Sequence, residues 1–155
     1  PMVLISPEVC APIKRRAATA LHTCLIVSTS APRAQLWVRA AHEVDWTTIV
    51  CTAADDANRQ SIRNRIHLAL VDLQSASADS EDRFRGLVQQ LATRGGPLLA
   101  VCGKPDDIMG EVWSRQLGVW MYLPGVDGES DITLLCNEAR KIVNKLDEQP
   151  LHAPG

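Results

Sequence analysis

The chain alternates between short unbroken runs of apolar residues and longer segments in which apolar residues recur every three or four positions. Apolar runs without polar alternation are typical of strands covered on both faces in a parallel sheet. The run that begins at Leu68 ends at a single carboxylate, Asp72, in the sequence H-L-A-L-V-D-L-Q. An unpaired buried charge is costly, so we expect Asp72 where its strand leaves the core. Five such runs predict five strands: 23–27, 47–51, 68–72, 97–102 and 119–123.

Helical periodicity between these runs predicts helices over about 32–42, 55–65, 80–94, 106–118 and 132–146. Their predicted caps are the Ser-Thr-Ser segment at 28–30, Asp55-Asp56, Asp79 or Ser80, and Asp106. The alternation predicts an α/β fold: a flavodoxin-like, doubly wound, five-stranded parallel sheet in the order 2-1-3-4-5, with three layers α/β/α. In that order the ends of strands one and three are neighbours, so Asp72 should face Ser28, Thr29 and Ser30.

The length of 155 residues fits one domain with a substantial core. We expect this domain to cover residues 23–147, between a lead-in segment at 2–22 and a tail or linker at 148–155. The lead-in contains the basic triplet Lys14-Arg15-Arg16. We interpret it as a surface segment, with a partner-binding arm as the alternative.

Composition and charge exclude several classes of function. The net charge of −2 gives no electrostatic basis for binding nucleic acid or an anionic membrane. No apolar stretch approaches the roughly 20 residues that span a bilayer. The five cysteines are odd in number and show no C-x-x-C spacing, so we interpret them as buried thiols of a cytoplasmic protein.

Three stretches resemble the receiver domains of bacterial response regulators: H-L-A-L-V-D-L-Q, P-L-L-A-V-C-G-K-P-D-D and L-G-V-W-M-Y-L-P. The resemblance covers about residues 23–147 and implies the CheY-like fold of two-component signal transduction. In that family the third strand ends in the phosphorylated aspartate, and this position corresponds to Asp72. The resemblance also places Tyr122 at the family's switch aromatic on the fifth strand.

The family's other phosphorylation groups do not match this sequence. The acidic pair that holds magnesium together with the aspartate falls on Ser28 and Thr29 (or Ser30), and one carboxylate among hydroxyls is a poor magnesium site. The family's Ser or Thr at the end of strand four is Cys102, and a Pro-Gly pair replaces its lysine. The resemblance therefore implies a degenerate, or pseudo-, receiver without metal, cofactor or enzyme activity, which acts by binding another protein independently of phosphorylation.

Three residues could partly restore the site. Lys104 follows Cys102 by two positions and could reach Asp72 across the sheet edge, although a solvated loop lysine is the preferred interpretation. Asp55 and Asp56 could supply charge, but the loop after strand two is expected to point elsewhere. Without such a restoration, Asp72 is expected to have a structural role only, in which it caps neighbouring backbone amides or pairs with Lys104.

Aromatic residues late in the chain indicate where a partner would bind. Trp113, Trp120, Met121 and Tyr122 are expected to cluster on the face of helix four, strand five and helix five, through which receiver domains often dock or dimerise. Alternation along a strand would place Trp120 and Tyr122 on one face and Met121 on the other. We predict Trp113, Trp120 and Tyr122 as interface residues for a signalling protein or a second copy of the chain. Simple core packing is the alternative.

Two other functions stay possible from the sequence. A conventional phosphoacceptor receiver would use Asp72 despite the missing groups. A small anionic-ligand or nucleotide binder would use the hydroxyl-rich S-T-S-A-P-R segment, in which Arg33 stands at a helix start that favours anions. That segment lacks a glycine, and Pro32 removes an amide donor.

Overall fold

The computed structural model describes residues 22–148, so the predicted lead-in and tail lie outside it apart from His22 and Glu148. Five strands alternate with five helices in this range. The elements are β1 Thr23–Val27, α1 Ala31–Glu43, β2 Thr47–Cys51, α2 Ala54–Arg63, β3 Leu68–Asp72, α3 Ala78–Arg94, β4 Leu98–Gly103, α4 Ile108–Gln116, β5 Met121–Pro124 and α5 Glu129–Glu148.

The sheet is parallel throughout, in the order β2-β1-β3-β4-β5. This order and the helices on both faces confirm the predicted flavodoxin-like fold. The central strand β3 is buried along its whole length, and its last residue, Asp72, stands opposite Cys102 of β4. The carboxylate therefore lies at the carboxyl edge of the sheet, as predicted.

The sheet divides the core into two layers. One layer packs under α1 and α5 and contains Leu68 and Leu70 of β3. The other packs under α2, α3 and α4 and contains Ala69 and Val71 of the same strand. Successive side chains of β3 thus enter opposite layers of the core, and all of them are buried, which is why this strand has an unbroken apolar sequence.

Helix starts deviate slightly from the predicted caps. Ser30 caps α1, while Ser77 and Asp107 cap α3 and α4 within a few residues of the expected positions. The cap predicted for α2 is wrong, because Asp55 and Asp56 lie inside its first turn. Carboxylates at this position interact favourably with the helix dipole but do not cap the helix. None of the described helices is long and apolar enough to cross a membrane.

Two histidines pack together at the amino edge of the sheet, opposite the edge at which Asp72 lies. The rings of His22 and His67 lie 4.8 Å apart between centroids. Nδ1 of His67 accepts a hydrogen bond from the Thr23 backbone N–H at 3.1 Å, so this nitrogen must be unprotonated. Burial lowers the pKa of His67, and the nearby His22 and Arg65 lower it further, whereas Asp147 opposes them.

We predict that His67 makes stability fall in mild acid. A histidine whose pKa is lower in the folded than in the unfolded state stabilises the fold when neutral, and this contribution is lost as the pH falls through the unfolded value of about 6.5. His67→Asn keeps an acceptor for Thr23 but cannot titrate, so it should flatten the stability change between about pH 7 and pH 5. Urea unfolding at several pH values measures this. His42→Asn, at an exposed histidine, is the control, and an equal flattening in both variants would contradict the assignment.

Candidate functional site

The candidate site lies where β1 and β3 end side by side at the carboxyl edge of the sheet. Asp72 closes β3 and is fully buried. Ser28 directly follows β1, is also fully buried, and its hydroxyl donates to Asp72 Oδ2 at 2.8 Å. The parallel pairing of β1 with β3 thus produces the predicted contact between these two residues.

A guanidinium group neutralises the buried carboxylate. Arg33, in the first turn of α1, donates from Nε to Asp72 Oδ2 at 2.9 Å and from Nη2 to Oδ1 at 3.4 Å. The arginine side chain is only 18% exposed and that of Asp72 is not exposed at all. A bidentate pair of this kind fixes both distance and orientation, so the carboxylate is held in one geometry.

The loop after β3 supplies the remaining donors to Asp72. The backbone N–H of Gln74 donates to Oδ1 at 3.0 Å, and that of Ser75 does so at 3.4 Å. The Ser75 hydroxyl donates to Oδ2. Both carboxylate oxygens therefore accept several hydrogen bonds from the protein itself. The expected capping of neighbouring amides is present, but the cationic partner is Arg33 and not Lys104.

Arg33 also contacts two loops at this edge. Its Nη1 donates to the Val126 carbonyl, between β5 and α5, at 2.9 Å. Its Nη2 donates to Gln74 Oε1, in the loop after β3, at 3.0 Å. The guanidinium carbon stands 5.3 Å from the ring centroid of the buried Trp37, a cation–π contact. One arginine thus joins the start of α1 to the loops on both sides of the site.

The other predicted site residues are placed around this ion pair without contacting its charge. Thr29 is exposed, and its hydroxyl donates to the Ser75 carbonyl at 3.2 Å. Lys104 is more than half exposed and lies 3.7 Å from Glu81, so it does not compensate Asp72. Cys102 is fully buried. Its burial and the nearby Asp72 both raise the pKa of its thiol, which leaves a neutral, weak donor.

Asp56, of the acidic pair after β2, is engaged elsewhere. Asp56 pairs with Arg59 at 3.3 Å. Burial and a hydrogen bond that the thiol donates to the Asp56 carboxylate raise the pKa of Cys51 to about 12. This carboxylate therefore acts within α2 and at the end of β2, and it contributes no charge to Asp72.

The residues at this edge do not fit the magnesium site of receiver domains. Magnesium needs several oxygen ligands in near-octahedral arrangement, usually more than one of them carboxylate. Here Arg33 stands against both oxygens of Asp72, and the neighbouring side chains at positions 28–30 are neutral hydroxyls. Within residues 22–148, no three His, Cys, Asp or Glu side chains are grouped as a metal site. The guanidinium supplies the positive charge that a metal would bring.

The predicted aromatic interface does not form one cluster. Trp120 precedes β5 and packs in the layer of α1 and α5, whereas Trp113 and Tyr122 pack in the opposite layer. The expectation that Trp120 and Tyr122 share a face is wrong because β5 begins only at Met121, so strand alternation does not extend to Trp120. All three aromatics are half-buried. The Arg85 guanidinium covers Trp113, 4.7 Å from its ring centroid.

A group of exposed apolar side chains on this side of the domain lies instead on α4. Ile108, Met109 and Val112 are 74%, 75% and 41% exposed, while Gly110 and Ser114 face the protein. We call these three apolar residues the α4 stripe. The stripe was not predicted from the sequence, because the helix buries its small residues and exposes its large ones. The spacing of Gly110 and Ser114, four residues apart, was the available signal.

Solved structures of low sequence similarity share this fold. The signal receiver domain of a putative Luxo repressor protein from Vibrio parahaemolyticus superposes with a TM-score of 0.67 at 16% identity, over 83% of this chain and 95% of that one. A CheY-like response regulator receiver domain protein from Methanospirillum hungatei JF-1 gives 0.64 at 20%, over 83% and 96%. The signal receiver domain of a modulated diguanylate cyclase from Desulfovibrio desulfuricans G20 gives 0.65 at 19%, over 83% and 99%. No protein-family model matches the sequence, and no curated protein is significantly similar to it.

Proposed function

We propose that this chain, whose fold is that of response regulator receiver domains, is a pseudo-receiver that signals by binding another protein without being phosphorylated. The observation that supports this most strongly is the bidentate pair between Arg33 and the fully buried Asp72. It replaces an exposed, metal-binding carboxylate with a neutral pair inside the protein.

The chemistry of phosphoryl transfer explains why this pair matters. An attacking carboxylate oxygen must approach the phosphorus in line with the leaving group, and cations must offset the charge on the transferring phosphoryl. Both oxygens of Asp72 already accept hydrogen bonds from protein donors, and the carboxylate has no exposed surface. Within residues 22–148 the cation adjacent to Asp72 is Arg33, and it is committed to the carboxylate itself. Asp72 is therefore a structural anion in this proposal.

The same contacts favour a module with one constant shape. Because Arg33 holds the loops that contain Gln74 and Val126 together, a change at the sheet edge would break several hydrogen bonds at once. Tyr122 lies inward as well: its ring covers Gly103, where any added Cβ would overlap its hydroxyl. We infer that the domain presents its binding surface permanently. No catalytic group is needed for that role, so the proposed function is not enzymatic.

The alternative of anion binding loses its main residue. Arg33 is the basic side chain at the start of α1 that an anionic ligand would use. Four of its hydrogen bonds already go to Asp72, Gln74 and Val126. A phosphate or nucleotide would have to displace a buried carboxylate to reach it.

The α4 stripe is the surface that we propose for partner binding. Three large apolar side chains close together on one exposed helix face are unusual unless they are buried in a complex. The sequence-based proposal for this side of the domain is kept, but its anchors become Ile108, Met109 and Val112. A symmetric pair of chains is the simplest partner, since one patch then covers its own copy.

We predict that the chain self-associates through this stripe and that Met109→Ser weakens the complex. Loss of a buried anchor costs roughly 2 kcal/mol at an interface hot spot, or about thirtyfold in Kd. Because Met109 is 75% exposed in the single chain, the free energy of unfolding of the monomer should change little. Sedimentation equilibrium measures the first quantity and urea unfolding the second.

Ile62→Ser is the matched control, because Ile62 is 67% exposed on α2, away from the stripe. It should leave self-association unchanged. A wild-type chain that stays monomeric at every concentration, or equal weakening by Ile62→Ser, would contradict the proposed interface.

A further inference from the structure

An exposed leucine on α5 stands between two grooves. Leu134 is 62% exposed and lines both of them. One groove, of about 650 Å³, runs between α5 and the end of α1, where Val44 lies. The other, of about 360 Å³, runs between α5 and β5 and is floored by Met121 and Leu123. Together they form an apolar surface on the opposite side of the sheet from the α4 stripe.

Carboxylates surround this apolar surface. Glu43 and Glu129 line the first groove, and Asp131 and Glu138 line the second. Among the described residues that line the two grooves there is no Lys or Arg. We call Leu134 and these four carboxylates the α5 acidic face.

Among the described residues, two exposed cations pair with these carboxylates, and the mostly buried Arg140 beside Val44 pairs with Asp45 instead. Arg39 stands 3.6 Å from Glu129, and Lys141 stands 3.0 Å from Glu138. Exposed pairs of this kind contribute little and exchange easily. The surface therefore suits an apolar segment that carries several positive charges.

We propose that the α5 acidic face binds the amino-terminal segment of the same chain. This segment contains the triplet Lys14-Arg15-Arg16, directly preceded by Ile13 in a stretch that is otherwise mostly apolar or small. Three consecutive cations would meet the four carboxylates, and an apolar neighbour would cover Leu134. The sequence and the surface thus match in both charge and polarity.

The point of attachment makes this occupant geometrically accessible. His22 Nε2 lies 2.8 Å from Asp147 Oδ2, so the segment joins the domain beside the last turns of α5. Along the helix, Asp147 and Leu134 are about 20 Å apart at roughly 1.5 Å per residue. An extended chain from residue 22 back to residue 14 reaches about 26 Å at roughly 3.3 Å per residue. The triplet can therefore reach the carboxylates within one chain, where covalent attachment raises its effective concentration.

The first test is zero-length carbodiimide cross-linking of the full chain, with an equal mixture of unlabelled and ¹⁵N-labelled protein. We expect Lys14 to be joined to carboxylates of the α5 acidic face, in peptides derived from a single chain. Links to Asp82 on α3 or Asp55 on α2, or no Lys14 link at all, would overturn the proposal. Links between labelled and unlabelled chains would also overturn it, since the occupant would then be a second copy.

The second test uses a double-mutant cycle on the melting temperature. Leu134→Gln should lower Tm in the wild-type chain but have a much smaller effect when Lys14, Arg15 and Arg16 are all replaced by Glu. Leu146→Gln, at a leucine that is 59% exposed on the same helix but outside both grooves, should have equal effects in both backgrounds. Equal effects of Leu134→Gln in both backgrounds would overturn the proposal. This result is independent of the α4 stripe.

Discussion

Replacement of Arg33 by Met is expected to lower the free energy of unfolding by about 3–5 kcal/mol, because it leaves the Asp72 carboxylate buried without its cation. Asp72 is fully buried and Arg33 is mostly buried, so solvent cannot replace the lost pair. The substitution also removes the hydrogen bonds to Gln74 and Val126 that hold the loops at the sheet edge.

The second half of this experiment removes the charge instead of its partner. In Arg33→Met combined with Asp72→Asn, the buried charge is gone, so the double variant should be less destabilised than the sum of the two single variants. Urea unfolding of the wild type, the two single variants and the double variant measures this difference. Arg39→Met is the matched control, since Arg39 lies on the same helix in an exposed pair with Glu129 and should change stability by less than about 1 kcal/mol. Similar losses for Arg33→Met and Arg39→Met would contradict a structural ion pair.

Replacement of Trp37 by Ala is expected to have an effect of similar size, about 3–5 kcal/mol of unfolding free energy. Trp37 is 2% exposed in the layer under α1 and α5. Its loss opens a large cavity there and removes the aromatic ring that supports the Arg33 guanidinium. Trp37→Phe retains an aromatic ring and should cost clearly less.

The link between Trp37 and Arg33 can be measured separately. If the ring positions the guanidinium, Trp37→Ala and Arg33→Met should be non-additive in urea unfolding followed by circular dichroism. Strict additivity would show that Trp37 only fills the core, and a loss below about 1 kcal/mol for Trp37→Ala would show that it is not a core residue.

The fold was predictable from the sequence because its three central strands, β1, β3 and β4, are almost wholly buried on both faces. In β3, Leu70 and Val71 enter opposite core layers, so successive positions must be apolar. The resulting unbroken apolar run is easily recognised in the sequence. The position of Asp72 followed from the same reasoning, since the only charge in the run had to mark its end. Helix caps were less predictable, because several nearby Ser and Asp residues can serve and local geometry selects among them.

The partner of Asp72 could not be derived in the same way. A pattern of apolar residues predicts where a backbone position lies in the fold. The direction of a long arginine side chain depends in addition on where α1 begins and on its contact with the Trp37 ring. Arg33 was singled out as a candidate anion ligand at the correct sheet edge. The available signal was that the first turn after β1 lies beside the end of β3 in this topology.

The expected clustering of the aromatic residues was wrong for a different reason. Large aromatic residues near one another in the sequence suggest a shared surface. The structure, however, distributes Trp113, Trp120 and Tyr122 over both layers of the core. In α4 the usual burial of large apolar residues is reversed, because the small residues pack inward and Ile108 and Met109 are exposed. Apart from the spacing of Gly110 and Ser114, the packing of the helix against its neighbours is what shows which face is exposed.

The central claim is that Asp72 is a structural partner of Arg33 and not a phosphoacceptor. The measurement that tests it most directly is the intact mass of the chain after incubation with an acyl-phosphate donor and Mg²⁺, beside a conventional receiver domain treated identically. We expect a phosphoryl adduct on the conventional receiver and none on this chain. An adduct on the wild-type chain that is lost in Asp72→Asn would contradict the central claim.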